Sequence, residues 1–416
     1  MKIEFNAKGF VELQGSKSIL NRILIISTFF ESSFKIYNFS RCDDLNTMVE
    51  NLMKIGFRFY SDEDYLILVP PDKMKSPSQL FIKDSGTGFR FLLSRLASQN
   101  GLETTIDVSP QLQKRPIKPL VKILNQLGAE INDDRFPITV KGKKLKGGKI
   151  VIPANISSQF ISSLLLIAPC YEQDLEISLK GEIVSRPYIE MTLQIMSDFG
   201  IESEFSLNNK IKIQSGQEYF NLSDFYIEPD FSSACYFWAL GTLSNNNICT
   251  SNWYLDSVQP DFKFLGILKK MGAEISDEDD RICVKRKKLN GIEIEMRNMP
   301  DQVPTLVVLS LFADSKTIIR NISHLRFKES DRISALLNEI KRIGGKIEFK
   351  KNSLIIHPLT KPPKDVFLET YNDHRIVMAF SILKAIFPYI IIKNMNSVTK
   401  SYPDFFFDLD SICNIS

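Results

Sequence analysis

LNQLGAEI, residues 124–131, and LKKMGAEI, residues 268–275, are almost the same eight residues set 144 positions apart. LMKIGFRF (52–59), MSDFGIES (196–203) and IKRIGGKI (340–347) follow the same plan: an amphipathic helix end, a glycine, then a short strand pattern. The glycines are Gly56, Gly128, Gly200, Gly272 and Gly344, each 72 residues after the last. A constant period of this length marks an internal repeat. Glycine belongs at that point because a helix closing before a strand needs a left-handed residue there. LDSICN reads as a sixth copy, with Asn414 in the glycine's place. Units that alternate helix and strand patterns predict an α/β protein of six small modules. Six modules divide into two domains of three, with the chain crossing between them near Gln14–Lys17 and in FYIEPDFSS. The expected domains are therefore 15–227, and 1–14 with 228–416, with function in the cleft between them.

The composition agrees with a globular chain. Of 416 residues, 44% are apolar and 24% charged, and Lys plus Arg exceed Asp plus Glu by only 52 − 49 = 3. So small an excess gives no global field for nucleic acid, and an anion site has to be built locally. VKGKKLKGG (140–148) and VKRKKLNG (284–291) lie two periods apart and read as equivalent loops after strands, not as polybasic patches. Glu4 and Lys8 interrupt any secretory signal, and the longest apolar runs are too short to span a bilayer. Six scattered cysteines without a CxxC pair and three histidines argue against a disulfide framework or a zinc site, so a cytoplasmic protein is expected.

Against the repeat, several polar segments do not recur. GSKSILNR (15–22) frees backbone N–H groups before a helix and adds Lys17 and Arg22, an anion cradle without the spacing of a P-loop. DSGTGFRF (84–91) repeats that logic with Gly86, Thr87 and Arg90, and QKRPIKPLV (113–121) fixes Arg115 beside a proline. SSQF (157–160) and SRPY (185–188) add hydroxyls, an amide and a phenol. Further on come PDQVPT with Asp301, NDHR with His374 and Arg375, and TKSYPD with Lys400. HLRFKESDR (324–332) puts six ionisable groups in nine residues and by itself reads as a solvated helix start with Ser330 as N-cap. Lys17, Arg22, Arg90, Arg115, Lys328, Arg332, Arg375 and Lys400 are eight cations in glycine-, proline- or serine-marked segments, enough for two multiply anionic ligands.

Taken in order, GSKSILNR, SGTGFRF, KRPIKPLV, SSQF, SRPYIEMTL, EPDFSSACYF, PDQVPTL, FKESDRI, TYNDHR and SYPDFF resemble the enolpyruvyl transferase family, and within it the branch that acts on shikimate 3-phosphate. The resemblance covers nearly the whole chain. It implies a two-domain fold with three copies of a small α/β unit per domain and an active site in the interdomain cleft. The reaction implied is transfer of the enolpyruvyl group of phosphoenolpyruvate to the 5-hydroxyl of shikimate 3-phosphate. It implies no metal or organic cofactor, no nucleic-acid or membrane partner, a monomer, and inhibition by glyphosate at the phosphoenolpyruvate site. The sister transferase acting on UDP-N-acetylglucosamine carries a reactive cysteine on a first-domain loop, whereas no cysteine lies between Cys42 and Cys170 here.

Carried over by motif, Lys17, Ser18, Arg22, Ser157, Ser158, Gln159, Ser185, Tyr188, Asp301 and Lys328 are expected on shikimate 3-phosphate. Lys17, Gly86, Arg115, Gln159, Arg332, Arg375 and Lys400 are expected around phosphoenolpyruvate. Glu329 is the expected proton donor to C3, Asp301 the base at the 5-hydroxyl, Lys17 the stabiliser of the departing phosphate, and His374 a supporting partner. By the same resemblance KESDR becomes an active-site segment and not a solvated helix start. Gln14, Asp84, Phe91 and His324 depart from the family pattern; Asp84 would add repulsion to any anion near it.

Overall fold

The computed structural model describes residues 4–132, 135–252, 257–364 and 366–413. All five repeat glycines sit at positive φ, from 82° at Gly344 to 114° at Gly56 and Gly128. After each, the next residue's N–H returns to the carbonyl five positions back at 2.9 to 3.1 Å, as Ala129 does to Leu124 and Ala273 to Leu268. That bond satisfies a helix carbonyl otherwise left open and turns the chain into a hairpin. The anticipated sixth position, Asn414, lies outside the described residues; the last described helix is Phe405–Cys413.

Each glycine leads into the hairpin that completes a sheet of one repeated strand order. Gln79–Ile82 pairs parallel with Glu103–Val108, which pairs antiparallel with Ile138–Lys141, and Glu130–Ile131 closes the edge. Five four-stranded sheets follow this order. Among the described residues the sixth shows the parallel pair alone, Phe367–Leu368 with Ile391–Ile392.

The modules fall into two compact units, Gly15–Ile227 and Met1–Gln14 with Glu228–Ser416. In the first, Lys17–Ile26, Gly86–Ala97 and Ser158–Ile167 are buried on nearly every side, while Asp43–Lys54 and Lys118–Gln126 keep a polar outer face. In the second, Phe231–Leu243, Val303–Ser310 and His374–Ile386 are the buried helices. A helix apolar all round has to lie in a core, so its polar residues collect at its ends. Those ends carry the motifs: Ser85, Ser157, Asp230 and Asp373 cap helix N-termini with their side chains.

The lysine-rich segments are surface loops, where Lys143 pairs with Glu130 and Lys144 lies near Glu172. Among the described residues no helix is long and apolar enough to cross a membrane. One expectation is corrected. Cys249 and Cys283 face each other across the antiparallel strands Ile248–Ser251 and Arg281–Lys285 and are joined as a disulfide. Strand register, which cysteine spacing does not reveal, brings them together.

Candidate active site

In the unit Gly15–Ile227, the polar segments gather at the starts of the three buried helices. Lys17 opens the first, its Nζ 2.7 Å from Asp44 at the start of the neighbouring helix. Arg22, one turn on and 3% exposed, donates to Thr192 Oγ1 (2.8 Å), the Ser18 carbonyl (2.6 Å), the Tyr188 carbonyl (3.1 Å) and Ser162 Oγ (3.5 Å). All four acceptors are neutral. Burial lowers its pKa to about 9, against a raising contribution from Tyr188, so the guanidinium still carries its charge at neutral pH. A buried cation held by neutral oxygens gains strongly from an incoming anion.

Arg90, also buried, donates to the Gly86 carbonyl, to Gln159 Oε1 (2.8 Å) and to the Pro116 carbonyl (2.8 Å). Gln159 Nε2 donates to Thr87 Oγ1 at 2.8 Å, so its amide ties two helix starts together. Ser157 caps the third buried helix, accepting from Gln159 N, and Ser158 opens it. Ser185, at φ 55°, precedes the helix Arg186–Asp198 that carries Tyr188 in its first turn. Arg115 lies against Gly86: a Cβ there would stand 2.1 Å from Arg115 Nη1 and 2.7 Å from Arg90 Nη1. A side chain at Gly86 would therefore have to displace two guanidinium groups of the protein itself. Asp84, noted as a source of repulsion, accepts a hydrogen bond from the Ser109 hydroxyl.

The other unit gathers charge differently. Arg332, 1% exposed, donates from Nε and Nη2 to Asp373 (2.8 and 3.2 Å), from Nη1 to Asp301 Oδ1 (2.8 Å) and from Nη2 to Glu329 Oε2 (2.8 Å). Burial disfavours its charge, but Asp373, Glu329 and Asp301 hold its pKa well above the ordinary value. Lys328 stands 3.7 Å from Asp301, Arg375 Nη2 3.6 Å from Asp301, and Lys400 Nζ 3.6 Å from Glu329. Burial raises the Asp301 pKa, yet Lys328, Arg375 and Arg332 together hold it far below the usual carboxylate range. Arg375 also donates to Tyr236 Oη at 3.2 Å, and its buried Nε–H has no partner. His374 is buried beside Asp373, Nδ1 to Oδ1 3.9 Å.

KESDR is thus both a helix start and part of this cluster. The N-cap is Asp331, not Ser330: its carboxylate accepts from Ser334 N at 3.1 Å, while Ser330 Oγ donates to Asp373. Arg326 pairs with Asp331 at the surface while Arg332 turns inward. His324 is 5% exposed with no partner on Nε2. Burial first, then Lys328, push its pKa down to about 3. Sequence reading missed the carboxylates Asp44 and Asp373 that organise Lys17 and Arg332. Asp373 stands in the very NDHR motif singled out, but an Asp before a helix reads first as a cap, and here it is one as well.

Comparisons with known proteins agree among themselves. The profile of the family described as EPSP synthase (3-phosphoshikimate 1-carboxyvinyltransferase) matches residues 2–409. The 3-phosphoshikimate 1-carboxyvinyltransferase of Haemophilus influenzae is 35% identical over 418 residues, covering 98% of this chain and 96% of the relative. That of Shewanella woodyi is 35% identical over 408 residues, covering 96% and 95%. The structure of EPSP synthase from Acinetobacter baumannii superposes with a TM-score of 0.81 at 22% identity, over 99% of this chain and 97% of that one. The enolpyruvyl transferase NikO from Streptomyces tendae gives 0.79 at 16% identity, over 99% and 96%. At these identities the two structures speak for the fold.

Proposed function

The chain belongs to the EPSP synthase family, and on that premise we propose how its residues divide the family's reaction. The reaction is transfer of the enolpyruvyl group from phosphoenolpyruvate to shikimate 3-phosphate in the shikimate pathway. In our reading Lys17, Ser18, Arg22, Ser157, Ser158, Gln159, Ser185 and Tyr188 of one unit and Asp301 and Lys328 of the other take shikimate 3-phosphate. Lys17, Gly86, Arg115, Gln159, Arg332, Arg375 and Lys400 take phosphoenolpyruvate.

The observation that supports this most directly is that Asp301 and Glu329 share one guanidinium, on Nη1 and Nη2 of Arg332 at 2.8 Å each. A base and an acid held on one rigid fork stay at a defined separation. The 5-hydroxyl gives its proton to Asp301 as its oxygen bonds to C2 of phosphoenolpyruvate, and Glu329 protonates C3. In the second half the Glu329 carboxylate takes a proton back from C3, the bond from C2 to the phosphate oxygen breaks, and Lys17 meets the departing phosphate. The surrounding cations make Asp301 a poor base in the ligand-free unit. Substrate anions that draw on Lys328 and Arg375 restore its basicity, and anions that draw on Lys400 make protonation of Glu329 less costly. Arg332, with four of its five N–H directions engaged by carboxylates, has little to offer a ligand beyond one N–H. His374 supports the cluster beside Asp373.

The test is phosphate release measured with both substrates and with each alone. Release that requires shikimate 3-phosphate and phosphoenolpyruvate together is the expected result. Equal release with UDP-N-acetylglucosamine as acceptor would overturn the assignment.

A further inference from the structure

Two of the three modules in the unit containing Glu228–Ser416 supply every residue proposed above for that unit. The remaining module, with the buried helix Phe231–Leu243 and the turn Pro260–Lys263, supplies none, yet it buries a carboxylate behind the cluster. Asp261 is 0% exposed. Its Oδ2 accepts from the Ser232 hydroxyl and from Gln302 Nε2 at 3.1 Å, and its buried Oδ1 has no partner. A carboxylate is seldom buried without a cation unless it holds something in place.

What it holds leads directly to the chemistry. Gln302 is the residue after Asp301 in the turn Pro300–Gln302, and its Nε2 also donates to the Ser232 carbonyl at 3.1 Å. That same carbonyl receives Arg375 Nη1 at 3.5 Å. Arg375 in turn stands 3.6 Å from Asp301 and donates to Tyr236 Oη from one turn further along the Ser232 helix. Asp261 thus closes a ring: Asp261 to Ser232, Ser232 to Arg375, Arg375 to Asp301, Asp301 through the chain to Gln302, and Gln302 back to Asp261.

We propose that Asp261 is a positioning residue for the enolpyruvyl transfer, fixing the Arg375 guanidinium and the Asp301 carboxylate relative to each other through Ser232 and Gln302. The inference rests on the assignment of Arg375 and Asp301 made above. Electrostatics agree with the geometry: after burial, the charges acting on Asp261 are those of Asp301, which raises its pKa, and Arg375, which lowers it. Asp261 touches no substrate in this scheme. Its effect is carried by two groups whose donors must meet a reacting ligand within a fraction of an ångström.

Asp261→Asn keeps the shape but replaces one acceptor oxygen by a donor, and Ser232→Ala removes the hydroxyl from the ring with little change in volume. Both are compared with Arg375→Ala and with the double variant Asp261→Asn/Arg375→Ala by steady-state kinetics, with unfolding midpoints recorded alongside. Each single variant should raise the phosphoenolpyruvate KM about tenfold, the size expected for a misplaced binding group. The double variant should be no worse than Arg375→Ala alone, because both changes remove one function. A general structural defect gives additive losses that follow the unfolding midpoint, and that result overturns the proposal. If Arg375→Ala raises the KM while Asp261→Asn and Ser232→Ala do not, Asp261 has no such role although the site assignment stands. If Arg375→Ala itself leaves the phosphoenolpyruvate KM unchanged, the assignment falls and this inference with it.

Discussion

The two units carry four candidate cations each, but they hold them in opposite ways. In Gly15–Ile227, Arg22 is buried among neutral oxygens, and Lys17 forms a short ion pair with Asp44. In the other unit Arg332 is wrapped by Asp373, Asp301 and Glu329, and Lys328, Arg375 and Lys400 all lie within 4 Å of those carboxylates. In the first arrangement an anion arriving at Arg22 competes only with the neutral oxygens that hold the guanidinium. The second is a preassembled acid–base cluster, where an arriving anion has to redistribute charge already in balance. Binding energy is then expected mainly from the first and proton traffic from the second.

Glu329→Gln should have the largest effect, because the amide keeps the shape and an acceptor for Arg332 but can no longer take up or give a proton. We expect kcat to fall by about 10²–10⁴, the usual range for loss of a general acid, with substrate KM values little changed. A comparable rise in both KM values would mean that this cluster binds rather than reacts.

Arg22→Met and Arg332→Met separate the two arrangements most sharply. Removing Arg22 takes away a buried charge with no carboxylate partner, so the unfolding midpoint should hold or rise, while shikimate 3-phosphate affinity falls by ~2–5 kcal/mol, about 30-fold or more. Removing Arg332 leaves the buried Asp373 carboxylate without its cation and takes the shared partner from Asp301 and Glu329, and should cost ~3–5 kcal/mol of stability. Calorimetric titration and thermal unfolding of the pair decide it: equal loss of stability in both variants would erase the distinction.

Gly86→Ala comes next. The added methyl has to displace Arg115 and Arg90, the atoms nearest to it. The phosphoenolpyruvate KM should rise about tenfold while that for shikimate 3-phosphate changes less, as overpacking displaces one pair of side chains by a few tenths of an ångström. An alanine variant with unchanged KM for both substrates would show that the guanidinium groups move aside without consequence.

The repeat was open to reading because its signal is stereochemical. A glycine every 72 residues is required wherever a helix closes through a left-handed residue, and all five are found there. The polar segments were open to reading because they break that period. What joins them was not. Asp373 serves at once as the cap of His374–Ile386 and as the main partner of Arg332, and only the cap has a local signature. Asp261 and Gln302 meet over 41 residues of sequence, and Cys249 meets Cys283 by strand register. Such pairings depend on how modules pack, and no spacing rule within a module encodes them.

The last and smallest effect concerns His324, in the charge-rich unit. Burial first, and then the positive charge of Lys328, Arg297 and Arg332 against the opposing Asp301, lower its pKa from 6.5 to about 3. Above pH 6.5 the imidazole is neutral in both folded and unfolded chains and contributes no pH dependence. As pH falls from 6.5 towards 3, the unfolded chain binds a proton that the folded chain refuses, so stability declines through that window by about 1.4 kcal/mol per pH unit at most. Asp301 acts in a separate window. Its folded pKa is lowered, so the stability it contributes is present above its ordinary value of 3.8 and is lost only below it. Replacing His324 by Gln removes the first decline and leaves the second. Urea midpoints of parent and His324→Gln should therefore coincide in their pH dependence above pH 6.5 and diverge between about pH 6 and pH 4, with the variant falling less. Parallel curves through that interval would show that His324 takes up its proton without disturbing the cations around it, and the picture of a cluster already in charge balance would have to be given up there.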